Sequence, residues 1–279
     1  MNKPKKFALL AVGTDTELFL RDANNNKPVP AIGLIGGTKN KPRPILGGKG
    51  FAVQEDNVMV EFNIPPAKTA KDFSAHIERV LDYLSKEVEK MGLKLDISPA
   101  CVFEPGQLEH PQAKTMGCEP DFCVWTQDVN QIDNHNPILL TTRSSGGHIH
   151  VSFTVDGKRP TINDQEKMVA AMDIHHGLPS KMFDKDTLRR QLYGKAGAFR
   201  PKKYGVEYRV LSNAWITTEA RRRWAFESVE RAISFCNYIE AQGIEFRGYN
   251  AVTSSINGQL DLDLYRHFTD KKYGMKVPA

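Results

Sequence analysis

A chain of 279 residues, 40% of them hydrophobic and 25% charged, is long enough for a full-sized core and has the make-up of a soluble globular protein, as one large α/β or α+β domain or two smaller ones. The formal net charge of +5 suits a handler of anionic substrates, and the charge is too dispersed to favour nucleic acid. No apolar run is long enough to span a bilayer, and cysteines without C-x-x-C spacing point to reduced thiols in a cytoplasm; a zinc site through Cys118 and Cys123 is the weaker reading of that pair.

Residues 1–12 have the outline of a signal peptide, but the apolar run is short and meets Asp15 and Glu17 almost at once, so 7–20 reads as a strand. Asp15 and Glu17 share one face of it. Two acids on a strand otherwise ready for burial are costly unless paired or bound to a cation, which makes them candidate ligands with hard oxygen donors. The alternative is a solvated face with Thr14 and Thr16 packed inward. After a turn over 21–30, the glycine-rich stretch 33–50 reads as a loop. It lacks a P-loop pattern, so a phosphate role for Lys39, Arg43 or Lys49 is a lesser reading than a solvated loop.

Residues 51–64 read as a hairpin with its turn at Asp56-Asn57. Val58, Val60, Phe62 and Ile64 form the apolar face, with Met59, Glu61 and Asn63 opposite. A two-residue turn puts Gln54 across from Met59, on the Glu61 side, and turns Glu55 away, which ranks Gln54 above Glu55 as a site residue. Over 68–91 the period becomes helical, with Phe73, Ile77, Val80, Leu81, Leu84, Val88 and Met91 on one stripe and Gly92 as the stop. A strand is expected over 93–103 and an irregular stretch over 104–116. The turn at 117–122 contains Asp121, which could position a substrate amine; an ordinary turn or cap residue is the plainer reading.

The most distinctive stretch is Ser144-Ser145-Gly146-Gly147-His148-Ile149-His150-Val151-Ser152-Phe153. As a strand it points His148, His150 and Ser152 to one face and Ile149, Val151 and Phe153 to the other. Two imidazoles and a hydroxyl suit a metal ion or a phosphate, and the two glycines permit close backbone approach. Surface histidines on a half-exposed strand fit the motif alone equally well. A helix follows over 163–177, capped by Asn163 and Glu166. Basic residues collect over 189–203, a place to look for phosphate contacts. In a strand over 205–211, Glu207 and Arg209 share a face, with a surface ion pair as the alternative. A long helix over 217–242 and a tail over 243–279 complete the chain.

Four strands therefore carry acids or histidines with period two: Asp15 and Glu17, Glu61 and Asn63, His148 and His150, Glu207 and Arg209. Together they describe a sheet face that holds cations and phosphates. Their order resembles the glutamine synthetase-like carboxylate-amine ligases, above all the phage-type COOH-NH2 ligase (type 2) family. The matching elements are acid-x-acid at Asp15-Thr16-Glu17, the later Glu61, the Gly-x-His-x-His-x-Ser strand at Gly146 to Ser152 with Gly147 intervening, and Glu-x-Arg at Glu207-Tyr208-Arg209. The likeness runs from about residue 13 to 211.

The resemblance implies an α+β fold, with a curved, mainly antiparallel sheet flanked by helices, in a single catalytic domain over 1–279 (core about 7–242, tail 243–279). It implies an ATP- and Mg²⁺-dependent ligase, with Mn²⁺ as a substitute, that joins a small-molecule or peptide carboxylate to an amine through an acyl phosphate. The implied metal ligands are Asp15, Glu17, Glu61, His148 and Glu207, with Gln54 standing where a further acid is expected. His150, Ser152, Arg200, Lys202 and Arg209 would contact the nucleotide. His150, Arg200 and Arg209 would stabilise charge on the transferred group, and Asp121 would serve as base toward the amine. Asp15 in place of the usual Glu, and the neutral Gln54, would weaken one divalent site. No ring-forming N-terminal domain precedes the core, so a dodecamer is not inferred and a homo-oligomer stays open. The implied location is cytoplasmic, in the host if the gene is phage-borne. Two rivals use the same residues: a metal-dependent hydrolase working without nucleotide on Zn²⁺, Fe²⁺ or Mn²⁺, and a non-catalytic phage-associated binding protein.

Overall fold

A computed structural model describes residues 3–114, 121–130, 136–244, 250–261 and 263. Cys118, with it the Cys118–Cys123 zinc reading, most of the turn before Asp121, the Asn-rich stretch 131–135 and most of the C-terminal tail lie outside the described residues. The main sheet contains β1 (Phe7–Asp22), the hairpin β2 (Ala52–Asp56) and β3 (Met59–Asn63), β4 (Leu93–Asp96), β5 (Gly147–Val155), β6 (Ala198–Lys202) and β7 (Gly205–Tyr208). Its order is β2-β3-β1-β5-β7-β6, and every pairing among these strands is antiparallel. Helices α1 (Ala70–Glu89), α2 (Ile162–Met172) and α3 (Glu219–Gln242) flank it.

β1 is the hub because its 16 residues outrun any single neighbour. It pairs with β5 from Phe7 to Thr16, with β3 from Asp15 to Leu18 and with β4 from Phe19 to Asp22. A bulge between Leu9 and Ala11 shifts the alternation by one residue, so Phe7 and Val12 both reach the core. Beyond the bulge Val12, Thr14, Thr16, Leu18 and Leu20 are all buried. The two threonines satisfy their hydroxyls locally: Thr14 Oγ1 lies 2.7 Å from Thr16 Oγ1 and 2.7 Å from the His148 carbonyl oxygen. Inward threonines and a functional acid face therefore coexist, because the opposite face turns Asp15 and Glu17 into the site.

The helices form where the stripes predict them. Thr69 and Thr218 cap α1 and α3 with their hydroxyls, and Gly243, at φ 63°, ends α3. Phe73, Ile77, Val80, Leu84 and Val88 of α1 are fully buried, and Phe73 stacks on Trp215 at 5.7 Å. Two expectations change. The strand expected over 93–103 is two: β4 joins β1, whereas Ala100–Val102 pairs with Thr142–Ser144 in a separate two-stranded sheet. Pro99, with no N–H to donate, stands at the break. The helix after the histidine strand starts earlier, because Thr161 and Asp164 make the capping box that Asn163 and Glu166 were expected to make; it gives way to a π-helical turn at Asp173–Gly177.

The glycines before His148 serve internal packing. A Cβ on Gly147 would lie 2.3 Å from the Ser212 carbonyl oxygen and 2.5 Å from Trp215 Nε1, which donates to the Gly147 carbonyl at 3.0 Å. Gly147→Ala is expected to destabilise by about 1–3 kcal/mol through overpacking, read as a lower urea midpoint with an unchanged slope.

Candidate active site

The strand order sets the four polar pairs on neighbouring strands of one face. Asp15 sits opposite His148 on one side and Asn63 on the other; Glu17 sits opposite Glu61, and His150 opposite Glu207. Arg200 on β6 faces Glu207 in turn. Two groups of potential ligands result, Asp15–His150–Glu207 and Glu17–Asp56–Glu61, each with donor atoms within 4.8 Å of one another. Past Glu17 the same side of the sheet turns apolar, with Phe19, Met59, Cys101, Phe103 and Leu108 in a small buried cluster. That cluster walls the acids off from water at one end.

In the first group Asp15 is shared by both histidines. Its Oδ1 lies 3.1 Å from His148 Nδ1 and its Oδ2 lies 3.0 Å from His150 Nε2. Burial opposes ionisation of Asp15, but the His150 and His148 rings beside it outweigh that penalty and hold its carboxyl well below the usual range. His148 is pushed down to about 4, first by burial and then by the Arg209 charge, so its ring is neutral at neutral pH. Burial opposes a charge on His150, but the Asp15 and Glu207 carboxylates outweigh that penalty and shift the ring upward. Its Nδ1 is 2.6 Å from the Tyr204 hydroxyl, which orients the ring. His148 and His150 thus differ from the expected division into a metal ligand and a phosphate group: His150 belongs to the first ligand group, and His148 lies 3.9 Å from Glu207 with its Nε2 buried and unpaired among the described residues.

Glu207 gathers cations. Arg200 Nη1 lies 3.3 Å from its Oε1, Lys202 Nζ 2.6 Å from its Oε2, and Arg209 Nη1 donates to Oε1 as well. With Glu207 and Arg209 both almost fully buried, the surface ion pair considered from sequence is replaced by a buried network. Arg209 also donates from Nε to Asp121 Oδ2 at 3.2 Å, and Asn130 Nδ2 reaches Asp121 Oδ1 at 2.8 Å. Ser152 continues the face of His148 and His150, opposite Gly205.

The second group corrects the hairpin. Its turn is Asn57-Val58, one residue later than expected, so Asp56 is a strand residue facing Met59, and Gln54 faces Glu61. Asn57 takes the turn's positive φ of 55°. Gln54 is buried on the expected face, yet the acid that completes the group is Asp56, two residues on along that face. Gln54 stays beside Glu61 as the neutral neighbour, and Asp56 adds a carboxylate to the group. Burial, reinforced by Asp56, pushes Glu17 up to about 8; burial and the surrounding carboxylates push Glu61 well above its ordinary range; Asp56 rises for the same first reason. Three crowded acids that resist ionising together, Glu17 buried and Asp56 and Glu61 half-buried, are a candidate donor set for a divalent cation. The second group offers oxygen donors alone, which suit Mg²⁺ or Mn²⁺, whereas the imidazole of the first also suits Zn²⁺ or Fe²⁺.

Glu55 turns away as expected and ties down the glycine-rich loop, accepting from the backbone N–H groups of Gly33, Ile35 and Gly36 at 2.9, 3.1 and 2.7 Å. Arg43, a lesser phosphate candidate, is paired with Glu87. Arg189, in the basic segment where phosphate contacts were sought, is a buried clamp instead: its guanidinium donates to the carbonyls of Ser145, Val210 and Leu211 at 2.7–2.8 Å. It joins the turn before β5 to the chain leaving β7. Tyr204 and Asp56 were missed in the sequence; an acid at the end of a hairpin strand and a tyrosine beside the glycine that opens β7 were the signals available.

These features define a carboxylate-rich site with two groups of potential ligands on an open antiparallel sheet. Residues 138–245, which hold β5 to β7 and all of α3, match the model of the family described as phage phiEco32-like COOH.NH2 ligase-type 2. That match relates the chain to the carboxylate-amine ligases. Among solved structures, the chain is similar to a novel glutamine synthase homolog, at 14% identity and a TM-score of 0.47, covering 97% of this chain and 62% of that one. It is also similar to GmaS in its apo form, at 11% identity and a TM-score of 0.40, covering 95% and 70%. No curated protein matches the chain. No helix among the described residues is long and apolar enough to cross a membrane.

Proposed function

We propose that the protein is an ATP- and divalent-metal-dependent ligase that forms an amide from a carboxylate and an amine through an acyl phosphate. The observation that carries this reading is the pair of ligand groups, Asp15–His150–Glu207 and Glu17–Asp56–Glu61, side by side on one sheet face with Arg209 anchored against the first. A carboxylate oxygen is a poor leaving group at neutral pH. Transfer of the ATP γ-phosphoryl to it forms a new O–P bond, breaks the bond to ADP and leaves an acyl phosphate. The amine then forms the C–N bond as the C–O bond breaks, phosphate departs with the electron pair, and the amine gives up a proton.

The two groups would hold Mg²⁺ or Mn²⁺, whose chemistry here is to offset charge on the phosphates. Arg209, Arg200 and Lys202 supply fixed positive charge beside Glu207, where the transferred group would develop negative charge. The low-shifted His148 is a neutral donor or acceptor. Asp121 is placed to orient the incoming amine, although its contact with Arg209 suits it to positioning more than to taking a proton. The substrates are a small-molecule or peptide carboxylate and an amine, and the setting is cytoplasmic.

The test is the shift in thermal unfolding with ATP, with and without Mg²⁺, for wild type, Glu17→Ala and His148→Ala. Ligand binding to the folded state raises its stability by mass action. A Mg²⁺-dependent rise that both substitutions abolish supports the ligase; no nucleotide effect but a rise with Zn²⁺ alone gives the site to a hydrolase. Tyr204→Phe deletes the hydroxyl that orients His150. It is expected to weaken divalent-metal affinity about 10- to 100-fold, measured by titration calorimetry with Mn²⁺.

A further inference from the structure

Beside Arg209, on the side away from Glu207, lies a cleft of about 330 Å³ whose polar lining among the described residues includes Asp121, the exposed Asp128, Asn130, Asn136, Gln191, Tyr193 and Lys195. One guanidinium separates it from the first ligand group, since Arg209 reaches Asp121 through Nε and Glu207 through Nη1. Asp121, 5% exposed, forms the buried anionic end of the cleft, and the exposed Lys195 stands at the rim. Three carboxamides, from Asn130, Asn136 and Gln191, offer donors and acceptors between these charges. The Tyr193 hydroxyl is buried and has no hydrogen-bond partner among the described residues. Leaving such a group unmatched is costly, and a polar ligand that reaches it from the cleft would offset that cost. The Tyr193 ring already carries the guanidiniums of Arg189 and Arg209, at 5.6 and 5.1 Å, so it is a poor platform for a stacked nucleobase.

We propose that this cleft is the amine subsite and that it takes a free α-amino acid or the amino end of a short peptide. The ammonium group sits toward Asp121, and the carboxylate or carbonyl meets the carboxamides, the Tyr193 hydroxyl and Lys195. Two carboxylates, Asp121 inside and Asp128 exposed, against the single Lys195 favour a ligand that brings an ammonium group, and Lys195 leaves a place for a carboxylate at the rim; a simple carboxylate would have to displace Asp121 from Arg209. The assignment as amine subsite rests on the ligase reading; the binding preference does not.

The experiment is titration calorimetry of the full chain with glycine, L-alanine, L-glutamate and glycylglycine, each beside its N-acetyl counterpart. At least one free amine is expected to bind, with its acetylated form weaker by about tenfold or more, since acetylation removes the charge that Asp121 would face. Tyr193→Phe and, at the exposed rim, Gln191→Ala should each weaken that binding several-fold. Binding by none of the probes, equal binding of acetylated forms, or unchanged affinity in both variants overturns the proposal. The Mg²⁺·ATP response of wild type, measured separately, reports on the ligase reading alone, so the two failures are distinguishable.

Discussion

Without metal at pH 8, Glu61→Gln is expected to unfold at a higher temperature than wild type and to have lost the stabilisation that Mg²⁺ gives wild type. Glu61 is buried among Asp15, Glu17, Asp56 and Glu207, and burial and those charges hold its carboxyl well above its ordinary pKa; Glu17 is pushed to about 8 from 4.5. The sign follows from proton linkage. Between the unfolded and folded pKa values the folded protein keeps protons that the unfolded chain has released, so stability is greatest below about 4.5 and falls as pH rises toward about 8. This group of acids is therefore a liability to the metal-free fold at pH 8. A neutral amide of the same shape has no proton to release on unfolding, so it removes the share of this cost that Glu61 carries.

The melting temperature of metal-free wild type should therefore decline from pH 5 to pH 8. The decline should be shallower in Glu61→Gln, and shallower in wild type with Mg²⁺, because a cation competes with protons for the same oxygens. A Glu61→Gln protein that is less stable than wild type at pH 8 and still responds to Mg²⁺ would remove the second ligand group from the site.

The hydrophobic and polar alternation that revealed the four site strands is local, so the face of Asp15, Glu17, Glu61, His148, His150, Glu207 and Arg209 could be read residue by residue. The expected antiparallel sheet flanked by helices is present for the same reason: each strand and each helix carries its own period. Which strands lie side by side is not local. The placing of β3, β1, β5 and β7 next to one another depends on hydrogen-bond pairing between segments far apart in the chain, 133 residues for Asp15 and His148.

Asp56 escaped because a turn was drawn through it. Moving the turn one residue along keeps Gln54 on the same face but adds Asp56 to it, a distinction that rests on which residue takes a positive φ. Arg189 escaped for another reason. A guanidinium that clamps three backbone carbonyls and one that grips a phosphate look identical in a basic run. Only burial and partners separate them.

Arg209→Lys is expected to fold and to lose at least about three orders of magnitude in turnover, on the ligase reading. Arg209 is 2% exposed and serves three neighbours at once: Glu207 through Nη1, Asp121 through Nε, and the Tyr193 ring beneath its guanidinium. A lysine keeps the charge, so neither carboxylate is left as a lone buried anion, but one ammonium on a flexible stem cannot hold both and cannot present a planar fork to a phosphoryl group. Arg209→Ala should behave differently. It strands Glu207 and Asp121 with one cation fewer, and breaking a buried pair this way costs about 3–5 kcal/mol, enough to depress the melting temperature sharply. The comparison separates a scaffold from a working group. If Arg209 only held β7 to the Asp121 segment, activity would track the melting temperature through both variants. If it stabilises the transferred phosphoryl, Arg209→Lys will lose nearly all ADP release, measured with the carboxylate and amine pair that turns wild type over, while keeping most of its thermal stability. Retention of more than about a tenth of wild-type turnover in Arg209→Lys would show that the charge alone suffices, and would shift the phosphoryl contact to Arg200 and Lys202, which flank the other side of Glu207.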